Sequence, residues 1–390
     1  MASRVSDLPH QRGLAGEIKT KNVAGHGRQN RKVLGDIGNL VTARDVVTGK
    51  DVAKKAKPQQ TKAEVVIVIS PDENEKSCKP HFSRRTHTRG TKTFTATLRA
   101  RSKAAATASG VKDNVKEEED PVIDIDAVDA DNELAAVEYV DDIFKYYKTV
   151  EEEGGIKDYI GSQPEINQKM RSILIDWLVD VHRKFELMPE TLYLTINLVD
   201  RFLSLAVVPR RELQLLGLGA MLIACKYEEI WAPEVNDFVC ISDNAYSRKQ
   251  VLAMEKSILG KVEWYITVPT PYVFLGRYVK ASVPCNIEME KLVFYLAELG
   301  LMKYPLVVLN RPSMLAASAV YAARQTLGKT PVWTETLKHH TGYLEDEIME
   351  HAEMLMKLRD SASESTLTAV FKKHSVSENA EVALLSSLED

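Results

Sequence analysis

Apolar residues in this chain of 390 residues recur at i, i+3, i+4 and i+7 from about residue 134 almost to the end, the spacing of side chains that share one face of an α-helix. The pattern predicts helices over 134–150, 167–186, 189–205, 209–230, 233–240, 247–260, 271–281, 287–303, 311–326, 334–341, 343–360 and 365–373. Strand-like alternation is scarce, so the fold class is all-α. Pro189, Pro209, Pro233, Pro271 and Pro312 fall where helices are expected to begin, a position that suits a residue with no amide donor and a preset φ. Two segments depart from the one-sided pattern. Residues 218–225 (LGAMLIAC) and 313–320 (SMLAASAV) are apolar on nearly every face and rich in small side chains. A helix of that kind is buried all round, so each is expected at the centre of a bundle of about five helices, giving two similar halves.

Upstream of residue 134 no period persists beyond the short run Val65, Val66, Ile67, Val68 and Ile69. Charge sharpens the contrast. Residues 1–116 carry 24 Lys and Arg against 10 Asp and Glu, whereas residues 117–142 carry 12 acidic side chains and no basic one. The formal net charge of −4 therefore hides a strongly basic tail and an acidic stretch. Such segments bury too little apolar surface to offset the entropy of ordering them. The expected organisation is a disordered tail over 1–133, with the acidic run KEEEDPVIDIDAVDADNE as a solvated linker, a helical domain over 134–266 and a second over 267–390.

Cys78, Cys225, Cys240 and Cys285 show no CxxC spacing, so neither a zinc site nor a disulfide scaffold is expected. No apolar run approaches the ~18 residues that span a bilayer, and the first residues lack the apolar core of a secretory signal. A soluble nuclear or cytosolic protein is expected, without cofactor, metal or membrane contact. Enzyme signatures are absent as well. Gly217-Leu218-Gly219 lacks a third glycine, His182-Arg183-Lys184 lacks the Asp of a kinase catalytic loop, and no GxxxxGK[ST], HExxH or GxSxG occurs.

Within MRSILIDWL, Met170, Ile173, Leu174 and Trp177 form a continuous stripe, and Ile175, Leu178 and Val179 form a second apolar face. For an arbitrary helix the stripe is plain core. The long segments MRSILIDWLVDVHRKFELMPETLYLTINLVDRFLS, ACKYEEIWAPEVNDFVCISDNAY and QVLAMEKSILGKVEWYITVPTPYVFLGRYVKAS, however, resemble the cyclin box of B-type cyclins, most closely the plant mitotic group. The resemblance covers residues from near 135 to near 385 and implies two tandem five-helix cyclin boxes preceded by an N-terminal helix.

The same resemblance implies a regulatory subunit that binds and activates a cyclin-dependent kinase. Lys226 and Glu255 would form the kinase-facing ion pair, with Tyr227, Leu259, Trp264 and Ile266 around it, and Tyr139, Ile143 and Tyr146 of the first helix would add to the interface. Met170, Ile173, Leu174, Trp177 and Gln214 would take the Leu of RxL-bearing substrates or inhibitors, with Asp180 available to the Arg. Arg171 and Asp200 resemble an internal salt bridge. In the tail, Arg31, Leu34, Ile37 and Asn39 match the destruction box RxxLxxIxN, read by the mitotic ubiquitin ligase, the anaphase-promoting complex. Residues 53–58 (AKKAKP) offer a weak nuclear import signal, and residence in nucleus and cytoplasm is expected to change through the cell cycle. A transcription-type cyclin or a two-repeat general transcription factor is the rival; the latter calls for a basic helical region, whereas residues 143–390 carry 27 basic against 33 acidic side chains. Specific nucleic-acid recognition is not expected.

Overall fold

The computed structural model describes residues 121–153 and 155–385, with no account of the side chains of Glu152 and Glu153. Thirteen α-helices and no strand occur among them. They are α1 (Val140–Glu153), α2 (Gln168–Lys184), α3 (Pro189–Leu205), α4 (Leu213–Glu228), α5 (Val235–Ile241), α6 (Arg248–Lys261), α7 (Pro271–Ala281), α8 (Ile287–Met302), α9 (Tyr304–Val308), α10 (Pro312–Thr326), α11 (Glu335–Thr341), α12 (Glu345–Asp360) and α13 (Ala369–His374). Their starts follow local chemistry. Pro189, Pro271 and Pro312 open α3, α7 and α10. The side chains of Asn167, Ser247, Asn286 and Thr334 cap α2, α6, α8 and α11 by accepting from a backbone amide of the first turn.

Helices α2 to α6 form one bundle of five and α7, α8, α10, α11 and α12 a second, with α4 and α10 as the central helices. Every residue of α4 from Leu213 to Cys225 is buried. Small residues make this possible. A Cβ on Gly217 would lie 3.0 Å from Leu174 Cδ1, and one on Gly219 would lie 2.9 Å from Met254 Cγ and 3.4 Å from the Glu255 backbone nitrogen. Glycine at these positions lets α2 and α6 approach α4 closely. The two bundles share a seam: Ile175 and Val179 of α2 and Leu192, Tyr193 and Ile196 of α3 belong to the hydrophobic core of the second.

Arg171 and Asp200, both fully buried, pair through two bonds of 2.7 and 2.6 Å. Tyr159 also donates to Asp200 at 2.7 Å, and Arg171 donates to the Leu301 carbonyl of α8 at 3.0 Å. The pair is therefore architectural and sits on the seam between the bundles.

The structure corrects three expectations. The first helix begins at Val140, not 134, because Ala136 adopts a left-handed backbone (φ 46°) between two short 3-10 turns. A single turn, α9, was not foreseen; Pro305 in its first turn reads as a breaker in a segment of five residues. The largest departure concerns 121–133, part of the expected solvated linker. There Ile125 is buried in the second core, Ile123 N donates to Thr336 Oγ1 at 3.0 Å, and Asp126 and Asp129 meet Arg277 and Lys280 of α7. Two carboxylates of the acidic run thus meet basic side chains some 150 residues away in sequence.

Candidate functional site

At the exit of α4 the chain leaves the core, and its last turn reaches solvent. Glu229 fixes this exit: its Oε1 accepts from Met188 N at 2.7 Å and from Thr191 Oγ1 at 2.6 Å at the start of α3. Just before it, Lys226 Nζ donates to Glu255 Oε1 of α6 at 2.6 Å, with side-chain exposures of 49% and 13%. Gly219 sets the spacing that permits the pair, since α6 is held against α4 at the Glu255 backbone. Tyr227, nearly half exposed, has its hydroxyl 2.8 Å from Thr267 Oγ1. The end of α4 is thus tied to α3, to α6 and to the segment leading into α7.

After α6 the backbone takes two successive left-handed residues, Glu263 (φ 55°) and Trp264 (φ 61°). Trp264 N bonds to Leu259 O at 2.8 Å and Val262 N to Ile258 O at 2.9 Å, closing the helix. Left-handed conformations at side chains of this size are held only where their surroundings enforce them, and they cluster at functional surfaces. The turn leaves Trp264 69% exposed, while Leu259 and Ile266 are half-buried against the first core. Tyr227, Lys226, Glu255, Leu259, Trp264 and Ile266 thus lie on two packed helices and the turn that follows the second.

The first helix has two unlike faces. Phe144 and Tyr147 stack edgewise on Phe274 of α7, with ring centroids 6.2 and 6.4 Å apart. Tyr139, in the 3-10 turn before α1, and Tyr146 remain exposed, with Ile143 half-buried.

The stripe on α2 divides by depth. Met170 and Leu174 are buried, and Leu174 belongs wholly to the first core. Ile173 and Trp177 are half-buried. Gln214 is buried, with its Nε2 unpaired, and half-buried Asp180 pairs with Arg183 at 3.2 Å. Two members of the stripe are therefore core, and two are only partly covered. Asp176, on the same helix, accepts from Ala369 N at 2.8 Å, and burial raises its carboxyl above the ordinary value. The second face, Ile175, Leu178 and Val179, is fully buried.

Sequence reasoning passed over Ile230 and Trp231, exposed by 73% and 77% directly after α4, and Tyr265 beside Trp264. Two large apolar residues, the last of the expected helix 209–230 and the one after it, directly before Ala232-Pro233, were the available signal. Arg31, Leu34, Ile37 and Asn39 lie outside the described residues, as does the basic run 53–58. Among the described residues no group of side chains could hold a metal ion, and no helix is long and apolar enough to cross a membrane.

Comparison with known proteins places these features in a family. The cyclin N-terminal domain matches residues 142–267 and the cyclin C-terminal domain residues 269–388. The chain is 88% identical to Cyclin-B1-4 of Arabidopsis thaliana, covering all of this chain and 98% of that one. It is 46% identical to G2/mitotic-specific cyclin-2 of Antirrhinum majus, covering 95% of each. An X-ray structure of a viral cyclin from herpesvirus saimiri superposes with a TM-score of 0.51 at 18% identity, covering 59% of this chain and 99% of that one; that likeness is one of fold.

Proposed function

The chain belongs to the cyclin family, among its B-type mitotic members, and from that membership we propose that it binds and activates a cyclin-dependent serine/threonine kinase at the G2/M transition. It contributes surface and leaves the chemistry to its partner. Docking of the α4–α6 face and the outer side of α1 would push the kinase's regulatory helix inward and order its activation loop. The observation that carries this proposal is the Lys226–Glu255 pair at 2.6 Å, which shares two packed helices and the turn after them with Tyr227, Leu259, Trp264 and Ile266. A paired charge can enter an apolar interface at lower cost than a lone one, and its spare donors and acceptors remain free for the partner's backbone.

Two regulatory functions accompany this role. Ile173 and Trp177, above Met170 and Leu174, form a shallow apolar seat for the Leu of RxL-bearing substrates or inhibitors, with Gln214 at its edge. Asp180 would exchange Arg183 for the incoming Arg. The destruction box Arg31, Leu34, Ile37 and Asn39 brings the anaphase-promoting complex and degradation at mitotic exit, and the protein moves between nucleus and cytoplasm through the cell cycle. The direct test is purification from dividing cells followed by a kinase assay on the eluate. Co-purification of a kinase whose activity requires this chain is the expected result; a monomeric chain with no associated activity refutes the proposal.

A further inference from the structure

The acidic strap at 121–133 is held by charges that have left water. Arg277 Nη1 contacts Asp126 at 2.6 Å, Lys280 Nζ contacts Asp129 at 2.8 Å and also Asp126, and the four side chains are 3% to 14% exposed. Burial pushes the Asp126 carboxyl up, but the hydrogen bonds and charges of Lys280 and Arg277 outweigh it and leave it below its ordinary value. Buried charges are tolerated only when paired, so the quartet selects a single seat for the strap, and buried Ile125 anchors it. From that seat the chain passes through left-handed Ala136 directly into Tyr139 and α1. Arg277 serves both segments: its Nη2 lies 3.4 Å from Asp141 of α1, and its guanidinium carbon lies 5.5 Å from the Phe144 ring centroid. One buried arginine thus grips the strap and the first turns of α1.

We propose that the strap is a positioning element for kinase binding: seated on Arg277 and Lys280, it fixes α1 so that Tyr139, Ile143 and Tyr146 are presented together, though no strap residue need touch the kinase. This rests on the assignment of the outer face of α1 to the kinase. A helix of 14 residues is marginal on its own, so its docked fraction enters the apparent affinity directly.

The test is a cycle of variants of the full chain, each titrated against a purified cyclin-dependent kinase. Asp126→Asn should weaken binding about tenfold, as if the docked fraction fell to about a tenth. It should add nothing when combined with Tyr139→Ala and Tyr146→Ala, whose face is then already lost, yet multiply fully with Lys226→Ala, which acts through another surface. Unchanged affinity for Asp126→Asn, or full multiplication with the tyrosine variant, overturns the proposal. Full-strength binding by the tyrosine variant instead overturns the assignment of α1. Should Asp126→Asn fail to give a cooperative melt, Asp141→Asn cuts only the exposed end of the Arg277 bridge. It is carried through the same cycle, with a loss of about threefold expected and no loss overturning the proposal.

Discussion

Replacing Lys226 or Glu255 with alanine separates an interface pair from a folding pair, because the structure assigns the two cases different magnitudes. In the free chain Lys226 is half exposed, and a pair with one partner in water is worth about 0.2–1 kcal/mol. Loss of that amount lowers the melting midpoint of a domain of this size by no more than about 4 °C. In a complex the same pair is desolvated, and removing one member leaves the other unpaired, a penalty of about 2–5 kcal/mol. At 1.4 kcal/mol per tenfold, binding should weaken by about thirtyfold to several thousandfold. Lys226→Ala and Glu255→Ala are therefore each expected to abolish kinase co-purification at sub-micromolar concentration, while exposed Lys249→Ala does not. Calorimetric titration against a purified cyclin-dependent kinase, with a thermal melt of each isolated variant, checks both magnitudes. A melting midpoint lowered by 10 °C or more would reassign the pair to folding. Undiminished binding by both variants would remove the α4–α6 face from the interface.

Arg31→Ala with Leu34→Ala should prolong the lifetime of the protein through mitotic exit and leave kinase activation intact; equal decay of variant and parent in mitotic extract refutes the destruction box. Ile173→Ala with Trp177→Ala, both at half-buried positions, should slow phosphorylation of RxL-bearing substrates but not of a short peptide lacking the motif. Buried Leu174→Ala should instead destabilise the fold by about 2–5 kcal/mol; parallel loss of both activities in the Ile173 and Trp177 variant would return the whole stripe to the core. Burial lowers the His182 pKa to about 4 from 6.5, so folding favours its neutral form. That contribution is complete above pH 6.5 and is lost toward pH 4 at about 1.4 kcal/mol per unit. Urea melts across that range should show a shallower fall for His182→Gln than for the parent, and identical slopes would refute the assignment.

Most of the fold was legible because most helices carry their own instruction, an apolar stripe, and many add a cap or a proline at the start. The all-round apolar segments 218–225 and 313–320 named the two central helices, since a helix without a polar face has only the interior to occupy. What escaped were features that depend on distant residues. The strap reads as solvated by composition, and nothing near it shows that Arg277 and Lys280 await it, more than 140 positions downstream. The depth of Leu174 and Leu178 is likewise set by Gly217 on another helix. Lys226 and Glu255, 29 residues apart, were paired through family resemblance; neither residue taken alone departs from an ordinary charge on an amphipathic helix.

The two bundles repeat one architecture, yet they treat the basic residue in the last turn of the central helix in opposite ways. In the second, Arg324 of α10 is buried and turned inward, donating to the Val332 and Pro331 carbonyls at 2.8 Å and to Ser282 Oγ at 3.0 Å. Three of its five donors hold the connection from α10 to α11 and the end of α7, and the side chain is withdrawn from solvent. In the first, Lys226 is answered by a single carboxylate from the neighbouring helix and stays half in water, so two of its three donors face outward. The apolar surroundings follow the same division. Tyr227, Ile230, Trp231, Trp264 and Tyr265 are exposed at or just after the ends of α4 and α6, whereas in the second bundle Tyr321 and Trp333 lie buried near α10, their ring centroids 6.0 Å apart. A repeated fold thus leaves one charged and aromatic face exposed, and it lies on the first bundle, the side to which the proposed kinase interface is assigned.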